Sequence, residues 1–170
     1  MGGFAVSVRV EPRFTRDVDI AVMVDNDSVA EALVRSLIAD GYAAFSSVEH
    51  ESGRLAIVRL SRAVDGADIV VDLLFASSGI EPEIAQAAEP LEITPGLSVP
   101  VATIGHFIAL KILARDDLDR PQDAADLRAL RRVADQDDLA LAKEAAALIE
   151  ARGFNRGRDL QRALEDFVAG

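Results

Sequence analysis

The sequence predicts an α+β protein, in which an α/β half of about a hundred residues precedes a helical half of about seventy. Three observations carry that prediction. Short apolar runs bounded by turn residues recur through the first half. An Asp65-Gly66 turn separates two of them. From Thr103 onward the hydrophobic period becomes helical and stays so to the end. The boundary is set at residue 102, giving an α/β core over 1–102 and a helical part over 103–170. With 170 residues the chain has the length of one ordinary domain carrying a helical extension.

In order, Gly2 to Val10 opens on a glycine pair. It reads either as a helix whose bare N-terminal amides suit an anion or, from Ala5, as an alternating strand. Ile20 to Val24 is an apolar run closed by Asp25-Asn26-Asp27-Ser28 and reads as a buried strand. Asp27-Ser28 caps a helix over Val29 to Asp40, with Ala30, Leu33, Leu37 and Ile38 at helical spacing and Gly41 as its stop. Tyr42 to Val48 and Arg54 to Ser61 read as strands joined across Glu49-His50-Glu51-Ser52-Gly53. Ala67 to Phe75 is a further buried strand with Asp72 in its middle. Ser77-Ser78-Gly79 breaks it. Glu81 to Ala88 forms a short helix, and Ile93 to Val101, with Pro95 and Pro100, is extended. Four helices follow, over Thr103 to Arg115, Gln122 to Ala134, Asp138 to Arg152 and Arg158 to Val168.

Composition removes several function classes. Half the residues are hydrophobic, so a full core is available, and with 5% aromatics, no Trp and one Tyr that core is aliphatic. The same scarcity excludes a surface that stacks many bases. The net charge of −11, from 29 acidic and 18 basic residues, disfavours nucleic acid and anionic membranes except at a local basic patch. The absence of cysteine excludes disulfides, thiolate metal sites and a cysteine nucleophile. There is no membrane-length apolar run and no signal-peptide layout, so a soluble cytoplasmic protein with no membrane partner is expected.

The candidate chemistry begins at Asp17 and Asp19. Side chains alternate along a strand, so the two carboxylates point the same way, roughly 7 Å apart. They read either as a solvated turn ahead of the strand or as hard oxygen ligands for Mg²⁺. Asp72 is costly to bury unpaired. It is either a buried Asp satisfied by backbone donors or a third carboxylate joining the other two, in which case the three acids can hold two metal ions. Lys111, in the apolar run Phe107 to Ala114, either snorkels outward or meets an anion. Arg115, four residues on, is expected on the same helical face, and two such cations suit a triphosphate. Asp123 and Asp126 share the face of a first helical turn, where the helix dipole favours acids whatever their function. His50 and His106 lack partner patterns and read as structural. Arg128 to Arg132 and Arg152 to Arg158 are modest basic clusters that either approach an RNA backbone or are surface and helix-end charge.

Gly2-Gly3, thirteen residues, then Asp17-Val18-Asp19 resembles the Gly-Gly/Ser…Asp-x-Asp signature of the nucleotidyltransferase fold. In particular the chain resembles the AbiEii/AbiGii-type nucleotidyltransferase toxin family. Arg13-Phe14-Thr15, Val71-Asp72-Leu73, Ala109-Leu110-Lys111 and Arg120-x-x-Asp123-x-x-Asp126-Leu127 fit it in order, over nearly the whole chain. The resemblance implies a nucleotidyltransferase-like mixed sheet with flanking helices, then a helical C-terminal half. It implies metal ligation by Asp17 and Asp19, with Asp72 matching the third acid less closely, and phosphate contacts from Gly2, Gly3 and Lys111. An active-site acid is implied at Asp123 or Asp126. The implied reaction is Mg²⁺-dependent transfer of a nucleoside monophosphate from an NTP to a hydroxyl of RNA (tRNA) or protein, by a toxin paired with an antitoxin. Two departures are present. Gly3 stands where many relatives have Ser. A helix and a strand normally precede the glycines, and here only Met1 does, so the expectation is an upstream start or a truncated copy. The alternative reading is a degenerate module that binds a nucleotide or a partner without turnover.

Overall fold

Four strands form one sheet: β1 (Asp17–Ala21), β2 (Ala43–Glu49), β3 (Leu55–Val64) and β4 (Ala67–Leu74), lying side by side in the order β1-β4-β3-β2. A computed structural model describes residues 2–10, 17–115 and 121–169 of the chain. The motif residues Arg13-Phe14-Thr15 and Arg120, with Met1, lie outside the described residues. β1 pairs with β4 in parallel, and the other two pairings are antiparallel. The mixed sheet and the helices around it are the α+β architecture expected.

Local chemistry accounts for most of these elements. The two-residue turn between β3 and β4 has Asp65 and Gly66 both at positive φ, 51° and 82°. That is the hairpin geometry whose twist matches the flanking strands. In β3, Ala56, Val58 and Leu60 are buried on one face while Ile57, Arg59 and Ser61 occupy the other. Helix α2 (Asp27–Ala39) covers the first of these faces, packing Ala30 against Val58, Leu60, Leu73 and Phe75. Its cap is Asn26, whose side chain accepts from Val29 N, rather than the expected Asp27-Ser28. Asp27 instead accepts from Leu55 N and pairs with Arg54. Ile38, expected on the buried stripe, is exposed, because the stripe runs through Leu33, Val34 and Leu37 and Ile38 lies a further 100° around the helix. Strand β2 is the edge of the sheet, with a bulge between Ala44 and Ser46 and every residue exposed.

Helix α3 (Glu81–Ala87) leads into a second, two-stranded sheet of β5 (Glu89–Thr94) and β6 (Leu97–Val101). The single extended segment expected over Ile93 to Val101 is therefore corrected to a hairpin. Pro95-Gly96, with Gly96 at φ 82°, makes the turn that the proline count had concealed. The remaining helices are α4 (Ile104–Ala114), α5 (Pro121–Val133), α6 (Gln136–Ala151) and α7 (Leu160–Ala169). Thr103 caps α4 and Asp135 forms a capping box with Asp138 on α6. α4 is buried on most of its circumference, as its apolar sequence requires. Gly105 lets it approach α6, since a Cβ there would stand 2.6 Å from the Asp138 carbonyl.

The first residues, left open between helix and strand, form helix α1 (Gly2–Arg9). Ala5 and Val6 are buried with Phe107, Ile108, Leu127 and Leu130, in a core drawn from α1, α3, β6 and the four C-terminal helices. Arg9 fastens the helix from the far end, donating to the Ala102 and Val101 carbonyls and pairing with Glu89. That core therefore takes residues from both sides of position 102. A second tie links the α6–α7 loop to the sheet. Phe154 stacks on His50 with ring centroids 4.0 Å apart, and Arg152 donates to the Gly79 carbonyl and to both oxygens of Glu83. His50 is thus structural, as is His106, which is buried and bonded to Thr103 Oγ1. Among the described residues no helix is long and apolar enough to cross a membrane.

Candidate active site

The strand register places the chemistry. Asp19 on β1 stands opposite Asp72 on β4, and Asp72 stands opposite Arg59 on β3. These three side chains form one row across neighbouring strands about 4.8 Å apart. They lie on the face of the sheet turned away from α2. Asp17, two residues before Asp19, shares that face. The two Asp-x-Asp carboxylates thus belong to the strand itself and not to a turn ahead of it.

Arg59 is the residue that the motif search missed. Its Nε donates to Asp72 Oδ1 at 2.6 Å and its Nη2 to Oδ2 at 2.5 Å, and Nη2 lies 3.9 Å from Asp17. Asp72 is buried, so the guanidinium, and not backbone donors, carries the cost of its charge. The hydrogen bond to Asp72, with the charges of Asp72, Asp17 and Asp19, holds the guanidinium above its usual pKa. A signal for Arg59 was available. With the two-residue turn at Asp65-Gly66, each residue of β3 faces the residue of β4 equally far from the turn, and Arg59 and Asp72 are both six residues away from it.

Asp19 has the opposite electrostatic situation. Burial raises its pKa, Asp17 and Asp72 raise it further, and Lys111 works against them. The Lys111 effect also shows that the helical half reaches the acid face: α1 packs between β1 on one side and α4 and α5 on the other.

Lys111 does not snorkel. Its Nζ sits 2.6 Å from Asp123 Oδ1 and 2.8 Å from Asp126 Oδ2, and all three side chains are largely or fully buried. Asp123 and Asp126 are thus more than helix-start acids complementing a dipole, because burial without a cation would be prohibitive. α4 ends at Ala114 with Arg115 as its C-cap, whose ψ of 125° turns the following chain out of the helix. Gly2 and Gly3 begin α1, as an anion site at a helix N-terminus requires.

Around the strand end that carries Asp72, Glu81 Oε1 accepts from the backbone N and the hydroxyl of both Ser77 and Ser78. The basic stretches are employed within the fold: Arg131 donates to the Phe167 and Val168 carbonyls, Arg156 to Ser77 and Arg158 to Ile112. Among the described residues no three carboxylate or imidazole groups are arranged to hold a metal ion together.

No curated protein matches the sequence. A family model described as the nucleotidyl transferase AbiEii toxin of type IV toxin–antitoxin systems matches residues 1–169. With that match spanning the sheet face, the Lys111 cluster and the glycine-led helix alike, the chain belongs to the AbiEii nucleotidyltransferase toxin family.

Proposed function

We propose that this chain transfers a nucleoside monophosphate from an NTP to a hydroxyl of RNA (tRNA) or protein, as the toxin partner of a cognate antitoxin in the cytoplasm. The observation that carries the reading is the single face on which Asp17, Asp19, Asp72 and Arg59 meet, with Lys111 close enough to act on Asp19. Asp17 and Asp19 fit a divalent ion. They offer hard carboxylate oxygens two residues apart on one face of β1. Asp72 fits less well, because both of its oxygens are held by Arg59.

When bound there, Mg²⁺ would supply charge neutralisation for the α-phosphate. The chain's own residues do the rest. Lys111 has three N–H donors and Asp123 and Asp126 engage two, so the third is left for a phosphate oxygen. The two acids orient the ammonium within an apolar helix. The amides opening α1 at Gly2 and Gly3 receive phosphate oxygens. The acceptor hydroxyl oxygen bonds to the α-phosphorus, the bond from that phosphorus to the bridging oxygen breaks, and pyrophosphate leaves. The hydroxyl proton passes to one of the acids of the site and from there to solvent.

The test is incubation of the full chain with each α-labelled NTP, Mg²⁺ and cell extract. Asp17→Ala or Asp19→Ala is expected to lower labelling by on the order of a thousandfold. Labelling that survives both substitutions would sink the assignment. Calorimetric NTP binding without any labelled product would make the chain a binding module instead.

A further inference from the structure

We propose that Arg59 is a resident cation that takes, at Asp72, the place of a second metal ion, so that the acid face binds one divalent ion, at Asp17 and Asp19. The inference rests on the nucleotidyltransferase reading and concerns how its site is charged. Three carboxylates on a sheet face are enough to hold two divalent ions in phosphoryl transfer. Here the guanidinium engages Asp72 through two parallel hydrogen bonds, one to each oxygen, at 2.6 and 2.5 Å. A fork-to-fork pair of this kind is both the strongest and the most geometrically demanding way of satisfying a carboxylate.

The cation is permanent. A guanidinium does not deprotonate in a protein, and Asp72 is buried, so separating the pair would leave an uncompensated charge in the interior. The same group lies 3.9 Å from Asp17, between the two acids that a second ion would have to bridge. Asp17, Asp19, Asp72 and Arg59 together carry two negative charges, which one divalent ion neutralises. A second ion would bring two surplus positive charges against a fixed guanidinium. The absence of a three-carboxylate arrangement among the described residues agrees with this division of labour. Arg59 is accordingly a positioning residue. It acts through Asp72, holding that acid away from the metal and keeping the site at one ion.

The test is the number of Mn²⁺ ions bound per chain. Free Mn²⁺ is followed by electron paramagnetic resonance during titration of the full chain, without and with a non-hydrolysable NTP analogue. The wild type is expected to bind one ion per chain in both conditions and Arg59→Lys likewise one. Arg59→Gln is expected to bind two, its folding being checked by circular dichroism. Two ions on the wild type, or one on a folded Arg59→Gln, overturns the proposal. If Arg59→Gln does not fold, the wild-type count alone decides. Failure of the underlying reading looks different: no ion bound to the wild type, or an ion that persists in the Asp17→Asn/Asp19→Asn double variant.

Discussion

Among the described residues, the core of the helical half gathers nineteen buried side chains, whereas the one between α2 and the sheet gathers five. Each large apolar side chain fully buried contributes about 1.5–3 kcal/mol, so the two ends of the molecule are unequally held. The helical core takes in α1 and packs against Ala21 at the end of β1, while β2 closes the other end of the sheet with no buried residue. The acids lie between the two. Asp17 and Asp19 are on the strand nearest the helical core, and the weakest strand is the one farthest from them. Rigidity is thus concentrated where carboxylates of like charge must be held together.

The strongest way to break this contrast is to attack the junction on its helical side. Lys111→Met leaves Asp123 and Asp126 buried without their ammonium, and about 3–5 kcal/mol of stability is expected to be lost, read as a drop in the urea midpoint. A near-neutral change would mean that the cluster is wetter than its burial indicates. A second route attacks the small core. Leu60→Ala removes a completely buried side chain beneath α2 and is expected to cost about 2–4 kcal/mol. Hydrogen exchange should show β2 and β3 amides losing protection while α4 and α6 keep theirs. Equal losses in both regions would make the two cores one cooperative unit and remove the contrast.

The smallest effect is a gain. Asp19 has a folded pKa above the usual aspartate range, from burial first and then from Asp17 and Asp72. Such a group's contribution to stability is intact below its unfolded pKa and is lost as pH rises through the folded one. At neutral pH Asp19→Asn is therefore expected to raise stability by about 1 kcal/mol while removing transfer activity. Thermal melts should show the gain shrinking as pH falls from the raised folded pKa towards the ordinary aspartate value, and absent below it. A variant less stable than wild type at pH 7 would mean that the Lys111 attraction outweighs the repulsion.

Elements built from local signals were legible in the sequence. The Asp65-Gly66 turn, the strands on either side of it and the stop at Gly41 all depend on residues within a few positions of one another. The motif acids were legible as types at a spacing, and the fold brings Asp19 beside Asp72 and Lys111 beside Asp123 and Asp126. What could not be read was the partner of each charge. Asp72 was weighed against backbone donors when its partner was a side chain thirteen positions earlier. Lys111 was weighed against solvent and phosphate, because the packing of α5 beside α4 has no signature in either helix alone. The prolines near residues 95 and 100 suggested an extended segment because the adjacent Gly96, which turns the chain, was left out of the reading.

The seating of α1 has a consequence for the time at which the molecule is assembled. Its glycines and its buried Ala5 and Val6 are made well before the side chains that receive them, Phe107, Ile108, Leu127 and Leu130. Arg9 likewise finds its carbonyl partners at Val101 and Ala102. Contacts this distant in sequence form late and slowly. A chain still emerging from the ribosome has its glycine-led helix without a seat and its acids without Lys111, so translation itself delays assembly of this part of the molecule until the segment through Leu130 has been made.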